Sequence, residues 1–284
     1  MELSRTSGNP AGPPDETQKK IRVLSIPVKA VRLRVDMALS NNTFCWNGLV
    51  TPDAAKSAGF LTGVFGWTRE EIDMGDGPMT MLAHEGKQFA HLRQPEEGEP
   101  TWWNNYLRVA DVDAAVATLT KHGGEVLVPP TDIPPGRFST VKMPSGAHFS
   151  LYREANSDDT DNPADLGHIC WVDLHSKDLD ADLKALDGLG FAQETRDMPN
   201  GKYVMLSPET GTRAGAMKGM NEHAPSMWLA WVKVESVDSI AVAIEKKGGK
   251  VVAPAWDAEG VGRMAIAQDP AGLTFGIIQM PASA

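Results

Sequence analysis

The residues best placed to do chemistry are aromatic, with one acid and two arginines among them. Trp46, Trp102, Trp103, Trp171, Trp228 and Trp231 fall in short aromatic and β-branched runs that read as strands. Tyr106 and Asn104 share one of these runs. Such indoles form a wall for a planar ligand, or pack into a core; both readings apply to each of them. Strand alternation separates neighbours, so Trp102 and Trp103 cannot share a face. Asp173 follows Trp171 by two residues and lies on its face. An inward carboxylate among aromatics is a candidate general base; a surface or ion-paired strand acid is the alternative. Arg137 and Arg263 each stand in a Gly-rich turn entering a strand. A guanidinium there grips an anionic ligand bidentately or ties its loop to a carboxylate such as Asp132 or Asp257. The second role is favoured because the feature occurs twice.

Other chemistries find no footing. There is no Gly-x-Ser-x-Gly elbow, phosphate loop or dinucleotide fingerprint. His84, His122, His148 and His223 lack metal-ligand spacing, and His91 stands alone on a strand. Cys45 and Cys170 are too few for a disulfide framework or a thiolate zinc site, and read as small buried hydrophobes. A net charge of −10 argues against nucleic acid or an anionic membrane as partner. No apolar run reaches the roughly 18 residues of a membrane span. A cytoplasmic protein, monomeric or homodimeric, with a small-molecule ligand is expected.

The elements that carry these residues repeat. Thr43-Phe44-Cys45-Trp46 matches His168-Ile169-Cys170-Trp171, and Asp53 matches Asp178. Tyr106 to Asp113 faces Trp231 to Asp238, Gly123-Gly124 faces Gly248-Gly249, and Pro129 faces Pro254. The offset stays at 125 or 126 throughout, so the chain is a duplication. Residues 43–154 and 166–280 form the two copies, and the acidic stretch from Asn156 to Asp165 marks a linker over 155–165. Residues 1–42 read as a disordered extension, and Met37 is a candidate natural start.

Each copy divides again. In the first, a strand over 43–50 precedes a helix with Thr51 as N-cap and Pro52 in its first turn, ended by Gly66. Strands near 78–83 and 86–92 follow. A strand near 103–109, a helix from Asp111 to Leu119 and strands near 125–129, 137–143 and 147–152 complete the copy. The order β-α-β-β-β thus occurs four times.

This pattern resembles the vicinal oxygen chelate superfamily, which includes glyoxalase I, bleomycin-resistance protein and the extradiol dioxygenases. The resemblance rests on Trp46 to Asp53 with Phe65-Gly66-Trp67, on Trp103-Asn104-Asn105-Tyr106, on Pro129 to Ile133 with Gly136-Arg137-Phe138, and on Pro144-Ser145-Gly146 and Asp269-Pro270-Ala271-Gly272. It is nearest to two-domain bacterial proteins catalogued as glyoxalase-like or loosely as hydroxylases. It implies an α+β fold of tandem glyoxalase-like domains. Each domain would pair two βαβββ modules into an open, cup-shaped sheet that holds a ligand.

Metal-dependent members of that superfamily place His and Glu on cup-facing strands. The resemblance maps those positions to Trp46, Asn104 and Ser150 in one copy and Trp171, Leu229 and Gly276 in the other, with a fourth near His91. An indole donates only through N–H and cannot ligate a metal. No metal or other cofactor is therefore expected. The function expected is binding of a small, partly aromatic molecule, with Asp173 as the one candidate catalytic group. The ligand-binding candidates are Trp46, Trp103, Asn104, Tyr106, Arg137, Trp171, Trp228, Trp231 and Arg263. A lyase, isomerase or dioxygenase with an atypical divalent metal site is the alternative.

Overall fold

A computed structural model describes residues 42–73, 78–155, 165–198, 201–207, 214–219 and 223–281. The proposed N-terminal extension, its Met37 start and most of the proposed linker lie outside the described residues.

The first sheet contains β1 (Phe44–Val50), β2 (Thr68–Asp73), β3 (Pro78–His84), β4 (Lys87–Arg93), β5 (Trp102–Arg108), β6 (Glu125–Ile133), β7 (Gly136–Lys142) and β8 (His148–Glu154). Helices α1 (Ala54–Phe65) and α2 (Val112–Lys121) belong to it. The second sheet contains β9 (Ile169–Ser176), β10 (Ala192–Met198), β11 (Gly201–Ser207), β12 (Ala214–Lys218), β13 (Met227–Lys233), β14 (Lys250–Ala258), β15 (Gly262–Gln268) and β16 (Thr274–Gln279). Its helices are α3 (Leu179–Gly188) and α4 (Val237–Lys246). The strand orders are β2-β3-β4-β1-β5-β8-β7-β6 and β10-β11-β12-β9-β13-β16-β15-β14. Each sheet is two four-stranded halves joined along an antiparallel seam, β1 to β5 or β9 to β13. The fold is α+β, with four βαβββ modules paired into two cups.

Two local expectations need correction. The N-cap of α1 is Asp53, whose carboxylate accepts from the Lys56 N–H; Thr51 instead bonds the Ser57 hydroxyl. An aspartate held just outside the helix satisfies an orphan N–H and also meets the positive end of the helix dipole. The strand β2 carried no pattern: its sequence Thr-Arg-Glu-Glu-Ile-Asp is exposed almost throughout, as an edge strand can be. Elsewhere the caps repeat, with Asp111, Asp178 and Ser236 each accepting from the N–H three residues on.

The two sheets turn their helix-bearing backs to each other and share their cores. One core combines Leu49, Leu61, Val64 and Trp103 of the first sheet with Val237, Ile244, Phe275 and Ile277 of the second. The other combines Leu107, Leu119 and Phe149 with Leu174, Leu186 and Trp228. Module one therefore packs on module four, and module two on module three. Phe275 is the wedge of the first core, with its ring against Phe60, Phe65 and Trp103. A fully buried Phe of this kind stabilises the fold by about 3–5 kcal/mol relative to Ala.

Polar staples accompany both cores. Ser57 on α1 donates to Asp269 in the turn before β16, at 2.5 Å. Asp182 on α3, the repeat partner of Ser57, accepts from the Ser145 N–H in the turn before β8 and from the Ser176 hydroxyl. Burial raises the Asp182 carboxyl above the usual range.

Candidate functional site

The cup faces are the sheet surfaces opposite the helices. In the first cup, Trp46 and Gly48 on β1, His91 and Arg93 on β4, Trp102, Asn104 and Tyr106 on β5, and Ser150 on β8 all point the same way. The register fixes this: Gly48 pairs with His91 on one side and Asn104 on the other, and Tyr106 pairs with Ser150. The Trp46 indole donates to His91 Nδ1 at 2.9 Å. Burial, and then the Arg93 charge, lower the imidazole to about 4, so it is neutral at physiological pH. Tyr106 lies edge-on to His91 with centroids 6.0 Å apart, and burial pushes its hydroxyl up to about 12. Gly48 is the floor of this row. A Cβ there would sit 3.0 Å from His91 Nε2 and 3.2 Å from the Tyr106 ring, so glycine lets both rings lean across β1. Asn104 donates to Ser150, which also bonds Thr140. At the cup's end Arg93 and Glu99 form a bidentate pair at 2.6 Å, and the Trp102 indole donates to the same carboxylate.

The second cup uses the same strands differently. The Trp171 indole, repeat partner of Trp46, donates to Asp173 Oδ1 at 2.9 Å. Tyr203 donates to that oxygen at 2.7 Å, and the Trp231 indole donates to Oδ2 at 2.8 Å. Burial, with the Asp173 carboxylate beside it, drives the Tyr203 hydroxyl far above its ordinary value. Gly215 and Gly276 make room: a Cβ at 215 would fall 1.9 Å from the Tyr203 oxygen, and one at 276 would fall 2.1 Å from the Trp231 ring. Leu229, Trp231, Met264, Ile266 and Ile278 then form a small core inside the cup. This cup is largely filled by its own side chains.

Between the two sheets, at the strand ends, lies a cavity of about 690 Å³. Trp102 and His148 face it from the first sheet, and His175, Met227, Leu229 and Ile266 from the second. Trp102 stands at 88° to His148 with centroids 5.5 Å apart. Burial lowers both His148 and His175 below the ordinary imidazole value. His175 Nε2 is buried and finds no hydrogen-bond partner among the described residues. An apolar, aromatic-edged space of this size with a few polar groups suits a small organic molecule.

The structure sorts the candidate residues. Trp46, Asn104 and Tyr106 meet in the first cup, and Trp171, Asp173 and Trp231 in the second. Trp103 and Trp228 are repeat partners that enter neither cup. Both are buried on the backs of the sheets: the Trp103 indole donates to Asn47, and Trp228 packs on Phe44 and Phe149. Alternation put Trp103 on the opposite face from Asn104, and Trp228 on the opposite face from Leu229; both indoles reach only the edge of the junction cavity. Arg137 pairs with Asp113 and Asp132, and Arg263 with Asp238 and Asp257, outside the cups. The arginines tie the first turn of α2 or α4 to the neighbouring hairpin. Asp173 is buried and both its oxygens accept from indole or phenol donors, which is the geometry of a structural acceptor and not of a base awaiting a proton. Sequence reasoning set His91 aside as a lone strand histidine near the fourth ligand position, and did not reach Tyr203 or His175. The glycines opposite the first two, Gly48 and Gly215, were the available signal, because each clears space for a ring across the strand.

The donor set does not fit a divalent cation. Such ions want three or four N, O or S donors at fixed geometry. In the first cup the indole of Trp46 offers no lone pair and occupies the one on His91 Nδ1, while Asn104 and Ser150 are neutral and bonded to each other. In the second cup a single carboxylate is engaged by three N–H and O–H donors, and Leu229 and Gly276 contribute no donor side chain. No cluster of three His, Cys, Asp or Glu occurs among the described residues.

Comparison with known proteins places this geometry. Residues 43–151 match the model of the Glyoxalase/Bleomycin resistance protein/Dioxygenase superfamily. A Mycobacterium tuberculosis protein carrying the name glyoxylase CFP32 is 28% identical over 243 residues, covering 82% of this chain and 93% of its own. The anthracycline biosynthesis protein DauV of Streptomyces sp. strain C5 is 28% identical over 258 residues, covering 83% and 92%. Among solved structures, the Mn(II)-bound glyoxalase of Novosphingobium aromaticivorans superposes with a TM-score of 0.60 at 18% identity, covering 84% of this chain and 82% of its own. The 2,3-dioxygenase LapB of Pseudomonas sp. KL28 gives 0.60 at 13%, covering 86% and 95%. The first copy thus matches the model of the glyoxalase, bleomycin-resistance and dioxygenase superfamily, and the second copy repeats the same modules, so that the whole chain shares the fold of these solved structures.

Proposed function

We propose that the protein binds a small, partly aromatic molecule in the cavity between its two sheets, and does so without a divalent metal. The junction cavity carries this reading: it is large enough for a fused-ring ligand and is edged by Trp102 and the apolar rim Met227, Leu229 and Ile266. His148, His175 and Gln268 supply the few polar groups that orient such a ligand. Two relatives named for anthracycline biosynthesis support a flat, multi-ring ligand. The donor set described above supports the metal-free part. A monomer or homodimer in the cytoplasm, its two buried cysteines reduced, completes the reading.

The test is titration with hydroxyanthraquinones and anthracycline aglycones, followed by tryptophan fluorescence and calorimetry. Saturable binding is expected, and Ala253→Trp, which fills the cavity wall, should abolish it while the fold is kept. A wild-type protein that binds none of these compounds sinks the proposal. Elemental analysis of protein purified without chelators tests the second clause. Stoichiometric manganese, iron, zinc or nickel would favour the metal-dependent lyase, isomerase or dioxygenase reading instead.

A further inference from the structure

We infer that the protein self-associates as a two-fold dimer through the open edge of β10, which pairs antiparallel with the same strand of a second copy about Thr195. Among the described residues, the strands at the sheet edges are β2, β6, β10 and β14. An edge strand offers unpaired N–H and C=O groups, and proteins that stay single blunt it. All but β10 are blunted. Pro129 and Pro130 in β6 and Pro254 in β14 have no N–H to give, and bulges break the register of both strands. In β2 the adjacent Glu70 and Glu71 stand at mid-strand, so a second copy laid antiparallel there sets acid against acid. The strand β10 carries none of these devices. It pairs with β11 without a break, contains no proline and is exposed throughout.

The backbone of β10 is set for a two-fold partner. Met198 and Gly201 are the pair next to the turn, and such a closing pair exchanges its backbone bonds. Alternation then turns the N–H and C=O of Glu194 and Arg196 toward β11, and leaves those of Gln193, Thr195 and Asp197 facing outward. A second copy placed antiparallel about Thr195 meets every one of these groups. Thr195 bonds the partner's Thr195, and Gln193 and Asp197 bond the partner's Asp197 and Gln193. The side chains agree. Gln193 lies on the helix side, where its amide donates to the Leu183 carbonyl of α3. Glu194 and Arg196 therefore project from the other face. The pairing lays Glu194 opposite the partner's Arg196, and Arg196 opposite the partner's Glu194. Within one copy these two side chains are 3.4 Å apart and 65% and 56% exposed, so little holds them back from a partner. Two copies thus join their second sheets into one continuous sheet. A single seven-residue edge falls short of the roughly 1,200 Å² of a lasting interface, so the dimer is reversible and of micromolar strength.

Sedimentation velocity of the full-length protein, from low micromolar to millimolar concentration, tests this. A reversible shift from monomer to dimer, with nothing larger, is expected. Glu194→Arg or Arg196→Glu alone should weaken the dimer about tenfold, because symmetry turns both attractions into repulsions. Mixing the two single variants puts opposite charges back across the seam and should restore association between them. Combining Glu194→Arg and Arg196→Glu in one chain should do the same. Thr195→Pro, which removes only an outward N–H, should abolish the dimer while the circular dichroism spectrum stays that of the wild type. A wild-type protein that remains monomeric at millimolar concentration overturns the inference. So does a dimer unmoved by either single charge reversal, which would lie on another face. Growth into open-ended oligomers overturns it too, since that needs a head-to-tail contact. The charge reversals fall on exposed side chains and decide the matter even if Thr195→Pro fails to fold.

Discussion

The two cups share a scaffold and one decisive residue, yet they end in opposite states. In each, an indole on the seam strand donates a hydrogen bond into the cup. In the first, the acceptor is a neutral imidazole on β4, and the bond leaves a second ring nitrogen in hand. In the second, the acceptor is the Asp173 carboxylate on the same strand as its indole, and Tyr203 and Trp231 crowd in to finish the job. The glycine that makes room has changed strands accordingly, from Gly48 on β1 to Gly215 on β12. A duplicated site can thus diverge through exchanges of bulk across a strand pair while the strand pairing is kept.

The comparison can be broken most severely at Asp173. Asp173→Ala strands three donors in the second cup and should destabilise the protein by about 3–5 kcal/mol in urea titration. A loss below about 1 kcal/mol would mean that the network is not what holds the cup closed. The next effect is a pH dependence owed to the first cup. His91 is lowered in the folded state to about 4, against 6.5 unfolded, so its contribution is complete above pH 6.5 and is lost as the pH falls toward 4. In that window the unfolded chain takes up the proton and the folded one does not, a slope of about 1.4 kcal/mol per pH unit. The difference between wild type and His91→Gln, measured across that range, should show this slope; parallel curves would refute it. Trp46→Phe should be milder than the Asp173 change, at about 1 kcal/mol, because it removes one hydrogen bond at a partly open position. Arg137→Lys and Arg263→Lys should leave ligand binding unchanged in calorimetry, since both arginines serve hairpins outside the cups. A tenfold loss in either would restore them as ligand groups.

Much of this was legible in the residues. The duplication, the four modules and the helix that opens at Asp111 follow from offsets and local chemistry that survive in one dimension, whereas the cap of α1 is assigned by sequence to Thr51 and belongs to Asp53. The face of Asp173 relative to Trp171 also follows, from the period of a strand. What period alone could not supply is which face points away from the helices. Trp103 and Trp228 look like their neighbours in composition, and only packing against Asn47 or Phe149 assigns them to the back. His91 was harder still. A lone histidine has no spacing to read, and its meaning depends on an indole 45 residues away. The strand β2 was invisible because an exposed edge needs no apolar alternation.

The exchange of modules across the two cores bears on how the chain comes into being. Each core is completed only when the second copy arrives, since α1 waits for Phe275 and the turn at Ser145 waits for α3. During synthesis the first copy must emerge with half of each core uncovered, a state that invites chaperones or premature association. For the same reason, fragments severed between the copies should each be insoluble or molten alone, and should recover native structure when refolded together as a complementing pair.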